Sequence, residues 1–184
     1  NYGNLKQQFN DYEAAIELYN KAVDQDPKNT TTLLSLASAL QGVGNFVKAK
    51  EVVNKITNIN PNMMSAHKLL SGLLNYANDE THLKDMLELL KQKNLTDSQK
   101  IDLYFAIAKA YEDLKFFDKS FDYLRIANEI KNLSIDFDFN QEIKKFEAIK
   151  AAFNNVDFNI VINKRRNTDI IFICGMPRSG TTLV

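Results

Sequence analysis

From Tyr2 to about Asn132 the apolar residues recur three and four positions apart, in amphipathic stretches separated by short runs of turn residues. That period belongs to helices that bury one face. Two of the breaks carry a proline: Pro27 and Pro61 lie 34 residues apart, and each follows a helical stretch that it closes, since proline cannot continue a helix. A 34-residue register set on them places Gly3, Ala15, Tyr19, Ala22 and Pro27 in a first unit. It places Leu33, Leu36, Ala37, Leu40, Gly44, Ala49, Val53, Ile56 and Pro61 in a second. Small residues such as Ala37 and Ala49 let two antiparallel helices approach closely, while Leu36 and Tyr19 fill the groove towards the next unit. Asn10-Asp11-Tyr12 and Gly44-Asn45-Phe46 supply the turns.

A third unit, about 63–95, departs from this pattern. His67, Leu70, Ser71 and Leu74 keep its first helix in register, but Leu83, Leu87 and Leu90 stand where the second helix would have small residues. It has no closing proline; Asn94-Leu95-Thr96-Asp97-Ser98 breaks the chain, with Thr96 or Ser98 as cap of the next helix,. The fourth unit returns to type, with Tyr104, Ile107, Ala108 and Tyr111, a turn at Phe116-Phe117-Asp118, then Ser120, Leu124 and Ala127. These positions resemble the tetratricopeptide repeat, whose resemblance implies helix-turn-helix units stacked into a solenoid. Four units exceed the three such a stack normally needs. The inner face of such an array can take an extended peptide or protein.

Beyond the repeats, Phe137, Phe139, Ile143, Phe146, Ile149 and Phe153 predict an amphipathic helix from about Gln141 that caps the array or docks it on a following domain,. Residues 154–169 read as a connector, with a short strand at Phe158–Ile162. Its charge cluster, Lys164-Arg165-Arg166, is a solvated linker or, on the sharper reading, a contact to a nucleotide or an acidic substrate,.

At Ile170 the pattern changes. Five apolar residues run to Gly175, a polar loop with two glycines follows, and apolar character resumes at Leu183. An unbroken apolar run closed by glycine predicts a buried parallel strand. A small-residue loop between such a strand and a helix is a phosphate cradle. Gly175 and Gly180 have the spacing of the nucleoside-triphosphate loop, but Thr181 stands where that loop has lysine,. That substitution weakens a kinase or ATPase reading.

The run Gly-Met-Pro-Arg-Ser-Gly-Thr-Thr-Leu at 175–183 resembles the 5′-phosphosulfate loop of the sulfotransferases. With Arg and a closing Leu, it is more similar to the tyrosylprotein and carbohydrate enzymes than to the cytosolic small-molecule ones. The resemblance covers only the last 15 or so residues. It implies a sulfuryl transfer from 3′-phosphoadenylyl sulfate to a hydroxyl or amine acceptor, with no metal. The donor would be bound by Pro177, Arg178, Ser179, Gly180, Thr181 and Thr182. Backbone amides from Arg178 to Thr182 and the three hydroxyls would hold the 5′-phosphate, Pro177 fixing the loop's entry and Gly180 its close approach. Arg178 would be the catalytic residue, stabilising charge near the bridging oxygen. The general base and the 3′-phosphate site would lie beyond Val184, so these 184 residues by themselves are expected to be inactive.

Composition adds little. Basic and acidic residues balance at 23 each, which gives no reason to expect nucleic acid, and no apolar run reaches the length of a membrane span,. The lone Cys174 is expected to be a buried, inert thiol at the strand's end, compatible with a reducing compartment and a cytoplasmic location,. His67 and His82 have no ligand-spaced neighbours, so no metal site is expected, and the Tyr and Phe residues (Tyr12, Tyr19, Phe46, Tyr104, Tyr111, Phe117) read as packing,. The chain starts without Met and stops inside what would be the next helix, which suggests a fragment. The expected organisation is mainly α: a tetratricopeptide-type helix-turn-helix solenoid over 1–132, a capping helix and connector over 133–168, and the first strand and loop of an α/β, P-loop-like sulfotransferase domain over 169–184. The alternative is a non-enzymatic protein-interaction scaffold.

Overall fold

The computed structural model describes residues 2–135 and 138–154. Every element among them is a helix: α1 (Tyr2–Gln8), α2 (Tyr12–Gln25), α3 (Thr30–Gly42), α4 (Phe46–Ile59), α5 (Met64–Leu73), α6 (Thr81–Leu90), α7 (Asp97–Asp113), α8 (Phe117–Leu133) and α9 (Phe139–Asn154). The chain divides into two compact units, Asn1–Asp136 and Phe137–Val184. In the first, α1–α2, α3–α4 and α7–α8 pair across short turns, while α2·α3, α4·α5 and α5·α7 join one pair to the next. The expected helix-turn-helix solenoid is present among the described residues. Pro27 and Pro61 each sit two residues past the end of a helix, α2 and α4.

Three of the four turns are built alike. Asn10, Gly44 and Lys115 all take a left-handed backbone, with φ of 60°, 77° and 66°. The next N–H reaches back across the last turn of the preceding helix in each case: Asp11 to Lys6 O (3.0 Å), Asn45 to Leu40 O (2.9 Å) and Phe116 to Tyr111 O (2.9 Å). This is the Schellman closure of a helix C-terminus, and it suits glycine best. The residue after the left-handed one then starts the second helix. Asp11 accepts from Ala14 N–H and Asn45 from Lys48 N–H, each capping its helix,. Phe116 has no such side chain and caps nothing. The turn aromatics face solvent: Phe46 is 58% and Phe117 60% exposed, which corrects their assignment to packing. They follow tight turns that project their first helical residue outward. Tyr19 is buried as expected, and Tyr12 lies against Gly42, where a Cβ would come within 2.6 Å of its ring.

The third pair is different. Leu83 occupies the register of the fully buried Ala15 and Ala49, 34 and 68 residues on. A leucine there cannot let α6 approach α5 as closely, and α6 packs on α7 instead of on its own partner. The connection lengthens to Leu74–Glu80, and Tyr76 turns into the core with no exposure. It joins Met64, Leu83, Met86, Leu95, Leu103, Ala106, Ile107 and Ala110 in one cluster. Leu74, expected within the first helix, is its extended C-cap. Thr96 caps α7 through a full capping box with Gln99,.

In the second unit, α9 begins at Phe139, two residues before the expected Gln141. The connector with its Phe158–Ile162 strand, the basic cluster Lys164–Arg166, Cys174 and the strand and loop at 169–184 lie outside the described residues.

Candidate functional site

The first helix of every pair contributes to one groove. It encloses about 1040 Å³ and is lined by Asn4, Gln7 and Gln8 of α1, Ser35, Ser38 and Gln41 of α3, Ser65 and Lys68 of α5, and Asp102 of α7, among others. Repeat geometry explains the alignment. Asn4, Ser38 and Gly72 are spaced by 34 residues, and so are Leu34, Lys68 and Asp102, so two register positions recur along the groove floor from one step of the stack to the next.

The uncharged polar lining is amide and hydroxyl, set among apolar surface that includes Leu34 and Leu69. The Tyr19 hydroxyl shares its proton between Asn4 Oδ1 (2.7 Å) and Gln7 Oε1 (2.9 Å), and Gln7 Nε2 donates to Ser38 Oγ (3.2 Å). Those bonds fix the amide of Gln7 in orientation. Gln8, Gln41 and Ser65 have no side-chain hydrogen-bond partner among the described residues, which leaves donors and acceptors directed at whatever enters. The one charged feature is an ion pair, Lys68 Nζ to Asp102 Oδ1 at 2.8 Å, which bridges α5 and α7. The groove's charge is confined to that pair at one end.

A second polar feature lies inside the third pair. Tyr76 Oη is 2.6 Å from His82 Nδ1, His82 Nε2 is 3.0 Å from His67 Nδ1, and His67 Nε2 is 2.8 Å from the Pro61 carbonyl. The imidazoles stack, with centroids 5.2 Å apart and planes within 12°. A carbonyl can only accept, so His67 must carry its proton on Nε2. With both imidazoles neutral, His67 Nδ1 accepts, His82 donates from Nε2, and Tyr76 donates to His82 Nδ1,. Burial, followed by the neighbouring His67, holds His82 down at about 4. Burial, with Asp113 second, pushes the Tyr76 hydroxyl well above its usual range,. At its other end Tyr76 donates its backbone N–H to Asp113 Oδ2 (3.1 Å), while Lys109 Nζ bonds Asp113 (2.5 Å) and the Leu74 carbonyl (2.6 Å). The ring lies 5.4 Å beneath Lys109 Nζ. With every ring nitrogen committed, neither histidine has a lone pair for a substrate or a metal.

The residues singled out for donor binding, Pro177, Arg178, Ser179, Gly180, Thr181 and Thr182, lie outside the described residues. The two histidines, His67 read only as a register position of α5 and neither as a metal ligand, turn out to join α5 to α6. One signal was available: His67 sits 34 residues after the buried Leu33. A polar residue at a core register position needs partners. Tyr76, Lys109 and Asp113 gave no such sign, because Tyr76 falls in an irregular loop and the other two on an ordinary polar helix face. Among the described residues no group of three or more metal-capable side chains occurs, and no helix is long and apolar enough to cross a membrane.

Residues 7–74 match a family model described as tetratricopeptide repeat. An uncharacterized protein of Aquifex aeolicus is 26% identical over 170 residues, 92% of this chain and 22% of that protein. The TPR repeat-containing protein MJ1428 of Methanocaldococcus jannaschii is 29% identical over 149 residues, 78% of this chain and 25% of its own length. Human protein O-mannosyl-transferase TMTC1 is 26% identical over 122 residues, 65% of this chain and 14% of its own. The chain thus spans a quarter or less of each of these relatives. Among solved structures, a MamA RS-1 ArsTM double mutant superposes with a TM-score of 0.55 at 15% identity, over 71% of each chain. MamA MSR-1 C2 gives 0.51 at 17%, over 72% of this chain and 75% of that one. At those identities the likeness is one of fold. The chain carries tetratricopeptide repeats, and the helix pairing of residues 7–74 continues through α8.

Proposed function

We propose that the array is a protein-interaction scaffold that holds an extended, largely uncharged peptide segment in the groove lined by α1, α3, α5 and α7. The observation that carries this is the groove's lining: amide and hydroxyl side chains from successive first helices, with Gln8, Gln41 and Ser65 unpaired, interleaved with Leu34 and Leu69, which suit apolar side chains of the same peptide. An extended peptide presents a backbone donor and acceptor at every residue. A row of neutral donors and acceptors suits that backbone better than it suits a charged ligand. The test is to pan a displayed library of random twelve-residue peptides against the chain, then to measure the recovered peptides on two variants. Ser38→Arg/Gln41→Arg fills the groove and should weaken binding at least about tenfold, whereas Lys55→Glu on α4 should leave it unchanged. Equal binding to all three proteins would place the interaction elsewhere.

A second reading is favoured by one specific observation, the contiguous Gly-Met-Pro-Arg-Ser-Gly-Thr-Thr-Leu string at 175–183. In a longer parent protein it would open a sulfotransferase domain that uses 3′-phosphoadenylyl sulfate, with the repeats presenting the acceptor. The acceptor oxygen or nitrogen would attack sulfur as the bond from sulfur to the bridging phosphate oxygen breaks. Arg178 would stabilise the charge left on that oxygen, and Ser179, Thr181 and Thr182 would hold the phosphate, at about 1.5–3 kcal/mol for each hydrogen bond to a charged group. The matched family model stops at residue 74, and none of the relatives above is named as a sulfotransferase, so the string alone supports this reading. Binding of 3′,5′-adenosine bisphosphate by the parent protein, lost in Arg178→Ala, is the expected result. A parent that does not bind it has no such site.

A further inference from the structure

In the pairs α1–α2, α3–α4 and α7–α8 the two helices pack directly on each other, but α5 and α6 do not. Besides the apolar cluster that holds Met64 of α5 with Leu83 and Met86 of α6, they are linked by the hydrogen bond between His67 on α5 and His82 on α6, continued to Tyr76 in the connecting loop and to Pro61 before α5. At the cap positions Met63 and Glu80 give no side-chain cap, as Phe116 gives none to α8, although Asp79 Oδ1 accepts from Thr81 N–H at the start of α6 (2.8 Å). Segments with few stabilising contacts open first.

We propose that the third pair is an acid-released clasp, in which proton uptake by the His67–His82 pair frees the loop Leu74–Glu80 and α6 from α5 while α3–α4 and α7–α8 stay folded.

The proton arrangement gives the mechanism. The neutral chain admits one arrangement, running from the Tyr76 hydroxyl to the Pro61 carbonyl. An added proton on His67 Nδ1 sets two N–H groups against each other across 3.0 Å. Placed on His82 Nδ1, it faces the Tyr76 hydroxyl at 2.6 Å. Tyr76 must then reverse and leave its own hydrogen without an acceptor in a site with no solvent exposure,. Among the described residues no carboxylate bonds either imidazole to accept the charge. The charged groups facing the cleft beside the pair are Lys50 from α4, Asp79 from the loop, and Asp85 and Glu88 from α6. On the far side, Lys109 and Asp113 from α7 hold Tyr76 and each other. The carboxylates favour an imidazolium and the two lysines oppose it, but burial dominates and keeps His82 neutral down to about pH 4. Opening returns that imidazole to water, where it binds a proton at about 6.5. Acid therefore favours the open form. Since α5 gives Ser65 and Lys68 to the groove, opening also loosens the groove wall; that consequence rests on the groove reading, the clasp itself does not.

The test is hydrogen exchange of the whole chain, followed by mass spectrometry between pH 7 and 4 and corrected for intrinsic exchange rates. The expected result is an opening equilibrium for residues 74–90 that rises about tenfold or more from pH 7 to 5, with 30–59 and 97–133 unchanged. In His82→Gln, which cannot take up the proton, the rise should disappear. Should that variant not fold, the wild-type profile decides alone. A rise shared equally by all helices, or none in 74–90, overturns the clasp. So does a wild-type rise that persists in a folded His82→Gln.

Discussion

The second and third helix pairs hold together by different means. In the second, Gly44 turns the chain left-handed, Asn45 caps the next helix, and the fully buried Ala37 and Ala49 let α3 and α4 touch. Its cohesion is contact. In the third, Leu83 takes the place of Ala49, seven residues replace the tight turn, and α5 meets α6 through Tyr76, His82 and His67. Its cohesion adds a directional chain of hydrogen bonds to the apolar cluster of Met64, Tyr76, Leu83 and Met86. A repeat can thus lose its small residues and keep its place in a stack, provided that polar groups fill the gap and satisfy one another. The difference lies in sensitivity: packed methyl groups are indifferent to pH, and a chain with one allowed proton arrangement is not.

Substitutions that separate contact from hydrogen bonding sharpen this contrast. Tyr76→Ala removes a fully buried ring and its hydroxyl together, and should cost about 3–5 kcal/mol in urea unfolding. Ile56→Ala in the second pair belongs to the same class, about 2–5 kcal/mol, so that comparison alone does not distinguish the two. Tyr76→Phe does. It keeps the ring and leaves His82 Nδ1 buried without a partner, at about 1–3 kcal/mol, a loss with no counterpart among the buried apolar residues of α3 and α4.

Acid gives the next contrast. His82 sits at about 4 in the folded chain, below the roughly 6.5 of a free imidazole, so the unfolded chain binds a proton that the folded one refuses. Its contribution is whole above pH 6.5 and falls away as pH drops towards 4. The expected loss is about 2 kcal/mol, allowing for the solvent that His82 retains, and it should be absent in a folded His82→Gln. The smallest effects are in the turns. Gly44→Ala at φ 77° should cost about 1–2 kcal/mol. Lys115→Gly, which relieves a lysine at φ 66°, should gain about 0.5 kcal/mol.

Much of the fold was legible in the sequence because packing in a repeat is periodic. Pro27 and Pro61 set the register, and Ala15, Ala37, Ala49, Tyr19, Val53 and Ile56 are all buried where it places them. The third pair was seen as irregular from Leu83, Leu87 and Leu90, but Met86, which is fully buried, was not picked out, since α6 turns its core face to α7. The histidine chain stayed hidden for a different reason. It joins residues from position 61 to position 113, with no common spacing, and only the displaced α6 brings them together. The groove was anticipated as an inner face, yet its neutral chemistry emerged only once Asn4, Gln7, Ser38 and Gln41 came to line one wall. The phosphosulfate-like loop at 175–183 remains a reading of the sequence.

The claim that matters most is that α5 and α6 are joined by two neutral imidazoles with a single proton order. Nitrogen-15 NMR of the imidazole rings at pH 7 reads that order directly. Both His67 and His82 should be Nε2–H tautomers at pH 7, and His82 should remain neutral well below pH 6. A charged imidazole at pH 7, or an Nδ1–H tautomer on either ring, would contradict the chain and with it the contrast between the two pairs.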